Sequence, residues 1–213
     1  MKKYTLKVTC PLCNATFKGD VLSDYEINGY DYDFMPLFKE GSKLLDYYIW
    51  FCPTCHYSGY DNRFSFEKYT ATIPEEIRDV IKSIPVHPVT LAYKFYRAGV
   101  IAELFGEADA SLLDYFTKSY WAAKRDASPV EKEEAALKIM EIADRIIRRG
   151  EFEDNEHYFI AVYLSGLISM ERGQPDEAAF FFSRLTSMKM MPSSYKKHIS
   201  FATAYLREHH CDG

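Results

Sequence analysis

No stretch of this 213-residue chain comes near the roughly 20 consecutive apolar residues that a membrane-crossing helix needs. The opening MKKYTLKVTC has two lysines but no apolar run of signal-peptide type. Positive charge is not in excess either: 26 Lys and Arg stand against 31 Asp and Glu, for a net charge of −5. Affinity for a phosphate backbone needs a concentrated basic patch, so a general nucleic-acid role is disfavoured and only a small local patch stays open. The fingerprints of common enzymes are missing too. There is no P-loop, no G-x-S-x-G, no H-E-x-x-H and no dinucleotide-binding glycine pattern, and the six histidines lie scattered. Cysteine is scarce, five in all, yet four of the five fall in two tight pairs.

Those pairs are Cys10-Pro11-Leu12-Cys13 and Cys52-Pro53-Thr54-Cys55. The short turn of a C-x-x-C knuckle lets both sulfurs face one point, and two knuckles supply the four ligands of a tetrahedral site. Cys10, Cys13, Cys52 and Cys55 are therefore expected to hold one structural zinc ion. Four thiolates leave no open coordination position, which argues against catalysis at the metal. Redox dithiols or plain buried cysteines are the competing explanations. A redox C-x-x-C normally sits singly at a helix start in a βαβ pattern, and neither knuckle has that setting. His56, directly after Cys55, is a weaker candidate ligand. Some 38 residues separate the knuckles, so a substantial insert lies between them. Cys211 stands beside His209 and His210 without enough neighbouring ligands for a second site. Reduced cysteines and the lack of a signal or membrane segment point to a cytoplasmic protein.

Hydrophobic residues make up 47% of the chain and aromatic residues 16%, enough for a core. Residues 1–73 read as β and loop. Tyr4, Leu6 and Val8 alternate with Thr5, Lys7 and Thr9, as in a half-buried strand, and Thr16-Phe17-Lys18 is expected to return beside it. Leu45 to Phe51 reads as a strand entering the second knuckle, and Asn28-Gly29 as a turn. From residue 74 the periodicity becomes helical. Pro74-Glu75-Glu76 opens a short helix ending before Pro85. Helices follow over 89–105 and 110–125, then from the capping box Ser128-Pro129-Val130-Glu131 to Gly150. Further stripes run through Tyr158 to Met170, Ala178 to Leu185 and, beyond Pro192, Tyr195 to Leu206. The linkers are short, which predicts antiparallel neighbours.

Gly166, Gly173, Ala178 and Phe182 stand at the intervals of a tetratricopeptide hairpin, and Gly99, Gly106, Ser111 and Tyr115 repeat them 67 residues earlier. The expected fold is thus α+β, mostly α: a zinc-ribbon-like β domain over 1–73 and a tetratricopeptide-like antiparallel helical array over 74–213. A generic α-bundle is the alternative for the second part. A hairpin array has a concave face suited to a peptide, where Tyr93, Tyr96, Arg97, Tyr163 and Glu171 are candidates.

The knuckles, the stretch Asp31-Tyr32-Asp33-Phe34 and the C-terminal hairpin with Gly166 and Arg172-Gly173 together resemble a bacterial family known as domain of unknown function 2225. The second knuckle continues His56-Tyr57 where the family often has glycine and tyrosine. An arginine expected between the first knuckle and the Asp motif is absent. The resemblance implies this same architecture and a cytoplasmic setting, and it brings no established activity. The function expected on these grounds is a non-catalytic, zinc-binding protein-interaction module. Two alternatives stand beside it. One is a nucleic-acid-binding zinc ribbon using Lys2, Lys3, Lys7 and Lys18. The other is an enzyme using Asp31 and Asp33. The helical part, with apolar stripes of its own, is expected to survive metal removal.

Overall fold

The computed structural model describes residues 1–39, 42–65, 72–149, 156–186 and 195–209. Among them it is mostly helical with three small antiparallel two-stranded sheets, the α+β class expected from the sequence. Gly150, Pro192, His210 and Cys211, on which parts of the sequence argument fell, lie outside the described residues. Contacts divide the chain into two compact units. One comprises Met1–Asp31 with Met35–Ala135, the other Tyr32–Phe34 with Ala136–Gly213. This grouping does not follow the 73/74 break read from the sequence. The first three helices belong with the knuckles, because the first two share a core with them and the third packs on the second.

In the first unit, β1 (Lys2–Thr9) pairs with β2 (Thr16–Ser23) in unbroken register from Lys2 opposite Ser23 to Thr9 opposite Thr16. The expected half-buried alternation is realised only at the knuckle end. Val8 is fully buried, while Tyr4 is 51% and Leu6 37% exposed. Apolar periodicity alone does not bury a strand unless something packs on its face. β3 (Ile27–Tyr30) and β4 (Pro36–Phe38) pair irregularly, so Asn28-Gly29 lies inside a strand with a register shift and not in a tight turn. The expected strand over 45–51 is mostly a 3-10 turn, Ser42–Tyr47, and only β5 (Trp50–Phe51) is extended, pairing with β6 (Ser58–Gly59) around the second knuckle.

Helices α1 (Glu75–Ser83), α2 (Leu91–Leu104) and α3 (Asp109–Arg125) complete this unit. Two glutamates in the first turn of α1 and Lys82 in its last complement the helix dipole. Thr90 caps α2, its side chain accepting from the Tyr93 amide. A continuous core joins Val8, Cys10, Leu12, Trp50, Cys52, Tyr57 and Phe64 to Ile73, Ile81 and Ile101. Ser58, buried on β6, donates to the Lys94 carbonyl of α2 at 2.7 Å, which fastens the second knuckle's hairpin to that helix.

α4 (Pro129–Arg149) begins in the first unit and ends in the second. Glu131, read as part of a capping box, instead accepts from the Thr90 hydroxyl. The second unit continues with α5 (Glu156–Glu171), α6 (Pro175–Thr186) and α7 (Lys196–His209). Its core takes in Asp33 and Phe34, while Tyr32 stays exposed. Phe34 stacks on His198 with ring centroids 4.0 Å apart and meets Tyr163 at 5.2 Å and Tyr195 at 5.5 Å edge-on. His198 is thus a core residue, 3% exposed.

The two hairpins α2–α3 and α5–α6 close in the same way. Phe105, Gly106 and Glu107 donate to Ile101, Glu103 and Ala102, and Arg172, Gly173 and Gln174 repeat those bonds at the same offsets to Ile168, Met170 and Ser169. Gly106 (φ 68°) and Gly173 (φ 70°) take the left-handed turn that stops each first helix. The aromatic partner differs by one position. The link after α2 is one residue longer than that after α5, so the ring lying on Gly99 is Phe116 and not Tyr115, whereas Gly166 meets Phe182 as expected.

A Cβ at residue 166 would stand 2.5 Å from the Phe182 ring. That ring also packs on Tyr163 and Tyr205, with centroids at 5.8 Å and 5.3 Å, and so has little room to retreat. Gly166→Ala gains about 1 kcal/mol of helix propensity, but overpacking costs roughly 1–3 kcal/mol. Net destabilisation in urea is expected, with partial recovery when Phe182→Leu is added.

Candidate metal centre

The two knuckles are built alike. The Asn14 amide donates to the Cys10 carbonyl and the Cys10 amide to the Ala15 carbonyl, both at 2.9 Å. The His56 amide donates to Cys52 at 2.9 Å and the Cys52 amide to Tyr57 at 2.8 Å. In each, the residue after the second cysteine is left-handed: Asn14 at φ 60° and His56 at φ 62°. Asparagine and histidine are among the non-glycine residues that accept this conformation best.

The four cysteines predicted from the sequence come together. One sulfur from each lies within 4.8 Å of all the others. Cys10 and Cys55 Sγ are 3.5 Å apart, and Cys13 and Cys52 Sγ 3.6 Å. No disulfide joins them. Sulfurs about 2.3 Å from a tetrahedral ion stand roughly 3.8 Å apart, so this arrangement could hold a metal ion. His56 is not part of the cluster. Its ring lies against Phe51, with centroids 5.0 Å apart. Cys10 and Cys52 are buried, and Cys13 and Cys55 lie nearer the surface. Burial pushes the Cys13 thiol up to about 11. The hydrogen bond with Cys10, then burial, raises Cys55. Both shifts favour the neutral thiol at these two positions, and a bound cation would favour the thiolate there.

Other candidate residues are placed differently. Asp31 is exposed while Asp33 is 4% exposed, so they do not form an accessible acid–base pair. Two of the four lysines of the possible basic patch are engaged, Lys2 with Asp24 at 3.2 Å and Lys3 with Asp20 at 2.8 Å. Of the residues expected on a concave face, Tyr93, Arg97 and Tyr163 are buried, and only Tyr96 and Glu171 reach the surface.

The family model described as an uncharacterized protein conserved in bacteria (DUF2225) matches residues 3–204. The chain belongs to this family. No curated protein and no solved structure matches it. Among the described residues of this family member, no helix is long and apolar enough to cross a membrane.

A second feature escaped the sequence argument. Between β2, the 3-10 turn, β5 and α3 lies a cavity of about 410 Å³ lined by Tyr25, Tyr47, Tyr48, Trp50 and Tyr60, with Asp61, Asp114 and Lys118 among its polar groups. Tyr60 donates to Asp114 and accepts from Lys118 at 3.0 Å, and its ring stacks on Tyr115 at 4.4 Å. Lys118 also bonds Asp114 one turn away on α3, and it lies over the faces of Tyr60 at 5.2 Å and Tyr48 at 5.9 Å. Burial and the Asp114 charge hold the Tyr60 phenol far above its ordinary range. Burial and then the Tyr25 hydroxyl do the same for Tyr48. Both are neutral hydrogen-bonding groups at any physiological pH. The only sequence signal was the local excess of tyrosine, which does not say which rings converge.

Protein purified without chelator is expected to carry close to one metal ion per chain by elemental analysis, and Cys52→Ser to lose it. Because Cys52 shares a core with Ile81 and Ile101, that variant should also lower the helical circular dichroism, not only the β signal.

Proposed function

We propose that this chain is a non-catalytic, zinc-binding protein-interaction module of the bacterial cytoplasm. In this reading Cys10, Cys13, Cys52 and Cys55 hold one structural zinc ion and the two hairpins are tetratricopeptide-like. Sulfur-only ligation favours zinc over the hard cations, and four sulfurs saturate it. The undisulfided cysteines support a reducing compartment.

The observation that carries the interaction reading is the tyrosine-lined cavity beside the second knuckle. It combines five aromatic rings with a few converging polar groups, the composition favoured at binding hot spots and pockets. Asp61 and Asp114 outnumber Lys118 there, and the whole chain is acidic, so a partner presenting basic or aromatic side chains is favoured. The ring faces that accept the Lys118 ammonium are suited to a cation from outside as well.

Affinity capture with the metal-loaded chain, repeated with Tyr47→Ala, Tyr48→Ala and Asp61→Asn, tests this. Loss of a hot-spot tyrosine should weaken binding by about 2 kcal/mol, on the order of thirtyfold, with the helical signal unchanged. Binding that ignores all three variants would place the partner elsewhere. Turnover of a substrate by the purified protein, abolished by Asp31→Ala or Asp33→Ala, would overturn the non-catalytic reading.

A further inference from the structure

Two arginines of the first unit have unusual surroundings. Arg97, on α2, is 1% exposed. Its Nε donates to the His56 carbonyl at 2.5 Å, and its two terminal nitrogens donate to the carbonyls of Ile81 (3.3 Å), Ile84 and Pro85 (both 3.2 Å) and to the Tyr93 hydroxyl (3.1 Å). Arg78, on α1, donates to the carbonyls of Pro11 (3.2 Å), Leu12 (3.3 Å) and Ile73 (3.2 Å). Among the described residues neither makes a hydrogen bond or ion pair with a carboxylate, though the Asp79 carboxyl is held below its ordinary range by its hydrogen bond with Lys82 and then by the charge of Arg78. By contrast Arg63 meets Glu107, Lys118 meets Asp114 and Arg125 meets Asp46. Asp79, next to Arg78 in sequence, is engaged with Lys82.

Carbonyl dipoles satisfy the donors of a guanidinium but do not neutralise its charge, and a buried charge without a counter-charge is strongly unfavourable. Three of the carbonyls these arginines hold belong to the knuckles. Pro11 and Leu12 lie between Cys10 and Cys13, and His56 follows Cys55 directly. Four thiolates around one divalent ion carry a net charge of −2. Two arginines, one fixed to each knuckle, carry the opposite charge.

We propose that Arg78 and Arg97 are positioning residues that act as counter-ions of the four-sulfur metal centre, so that metal occupancy and the docking of α1 and α2 on the knuckles form one equilibrium. This rests on the metal reading above. The backbone bonds hold each knuckle in the conformation that aims its sulfurs inward, and the two positive charges offset the negative charge of the loaded centre. Without the metal, Arg97 is a buried cation with no negative centre beside the carbonyl it holds, and the docking of its helix is weakened. Loss of the ion thereby reaches α1 and α2 and is not confined to the knuckles.

The test uses the full chain and zinc alone as the probe. Affinity is measured by chelator competition, and melting temperature is measured with zinc and after chelation, for wild type, Arg78→Gln, Arg78→Lys, Arg97→Gln and Arg97→Lys. Outer contacts of this kind typically change metal affinity about 10–100-fold, and a loss in that range is expected for each Gln variant. The Lys variants, which keep the charge, should retain more. The rise in melting temperature on adding zinc should shrink in the Gln variants, because removing the charge harms the chelated protein less than the loaded one. A merely structural role would lower both melting temperatures equally, leave the zinc increment unchanged and make Lys no better than Gln, and that result overturns the proposal. Should Arg97→Gln fail to fold, the half-buried Arg78 pair decides the outcome by the same criteria. Wild-type protein that binds no zinc would sink the metal reading itself, a failure visible before any variant is compared.

Discussion

Cys10 and Cys52 have two demands to meet at once. Each is fully buried in the core that runs from Val8 to Ile101, and each directs its sulfur to a common point. A thiolate in an apolar core is costly unless a cation shares its charge. The elements around these two cysteines are arranged on the knuckles. The knuckle turns are left-handed after their second cysteines, β5 and β6 bracket the second knuckle, and α1 and α2 send arginines to the knuckle carbonyls. A small β region with so little apolar area of its own would be marginal. It is stable here because helices complete its core.

The second unit is organised by rings and glycines. Gly166 lets Phe182 approach α5, and the resulting aromatic cluster takes in Phe34 from between the two knuckles. This gives the Asp31-Tyr32-Asp33-Phe34 stretch a packing role. Phe34 is surrounded by Phe159, Tyr163, Tyr195 and His198. Tyr32 lies against Phe201 at 5.3 Å with Lys197 4.0 Å from its ring centre. A motif that looks like paired carboxylates in the sequence works chiefly through the aromatic residues between and after them.

The high tyrosine content divides the same way. Tyr93 and Tyr163, attractive as partner-binding residues by helical position, are core residues. The tyrosines that do converge on an accessible space come from segments far apart in the chain, Tyr25, Tyr47, Tyr48 and Tyr60, and meet Asp114 and Lys118 of α3. Helical periodicity says which face of a helix is apolar. It does not say whether another element covers that face.

Short-range features were legible in the sequence because short-range chemistry determines them. The two C-x-x-C turns, the helix starts and stops at proline and glycine, and the glycine–phenylalanine contact of the second hairpin all depend on residues a few positions apart. Where the argument needed an exact register or a covering element, the tertiary structure decided. One extra residue after α2 moved the ring over Gly99 from Tyr115 to Phe116. The outer part of β1 stayed exposed because nothing packs on it. Helices α1 and α2 joined the knuckles, because Ile81, Ile101, Arg78 and Arg97 complete the core and hydrogen bonding of the four-cysteine cluster, and α3 followed by packing on α2. Those contacts span about 40 to 90 residues of sequence, and at that range local pattern carries no information about which surfaces meet.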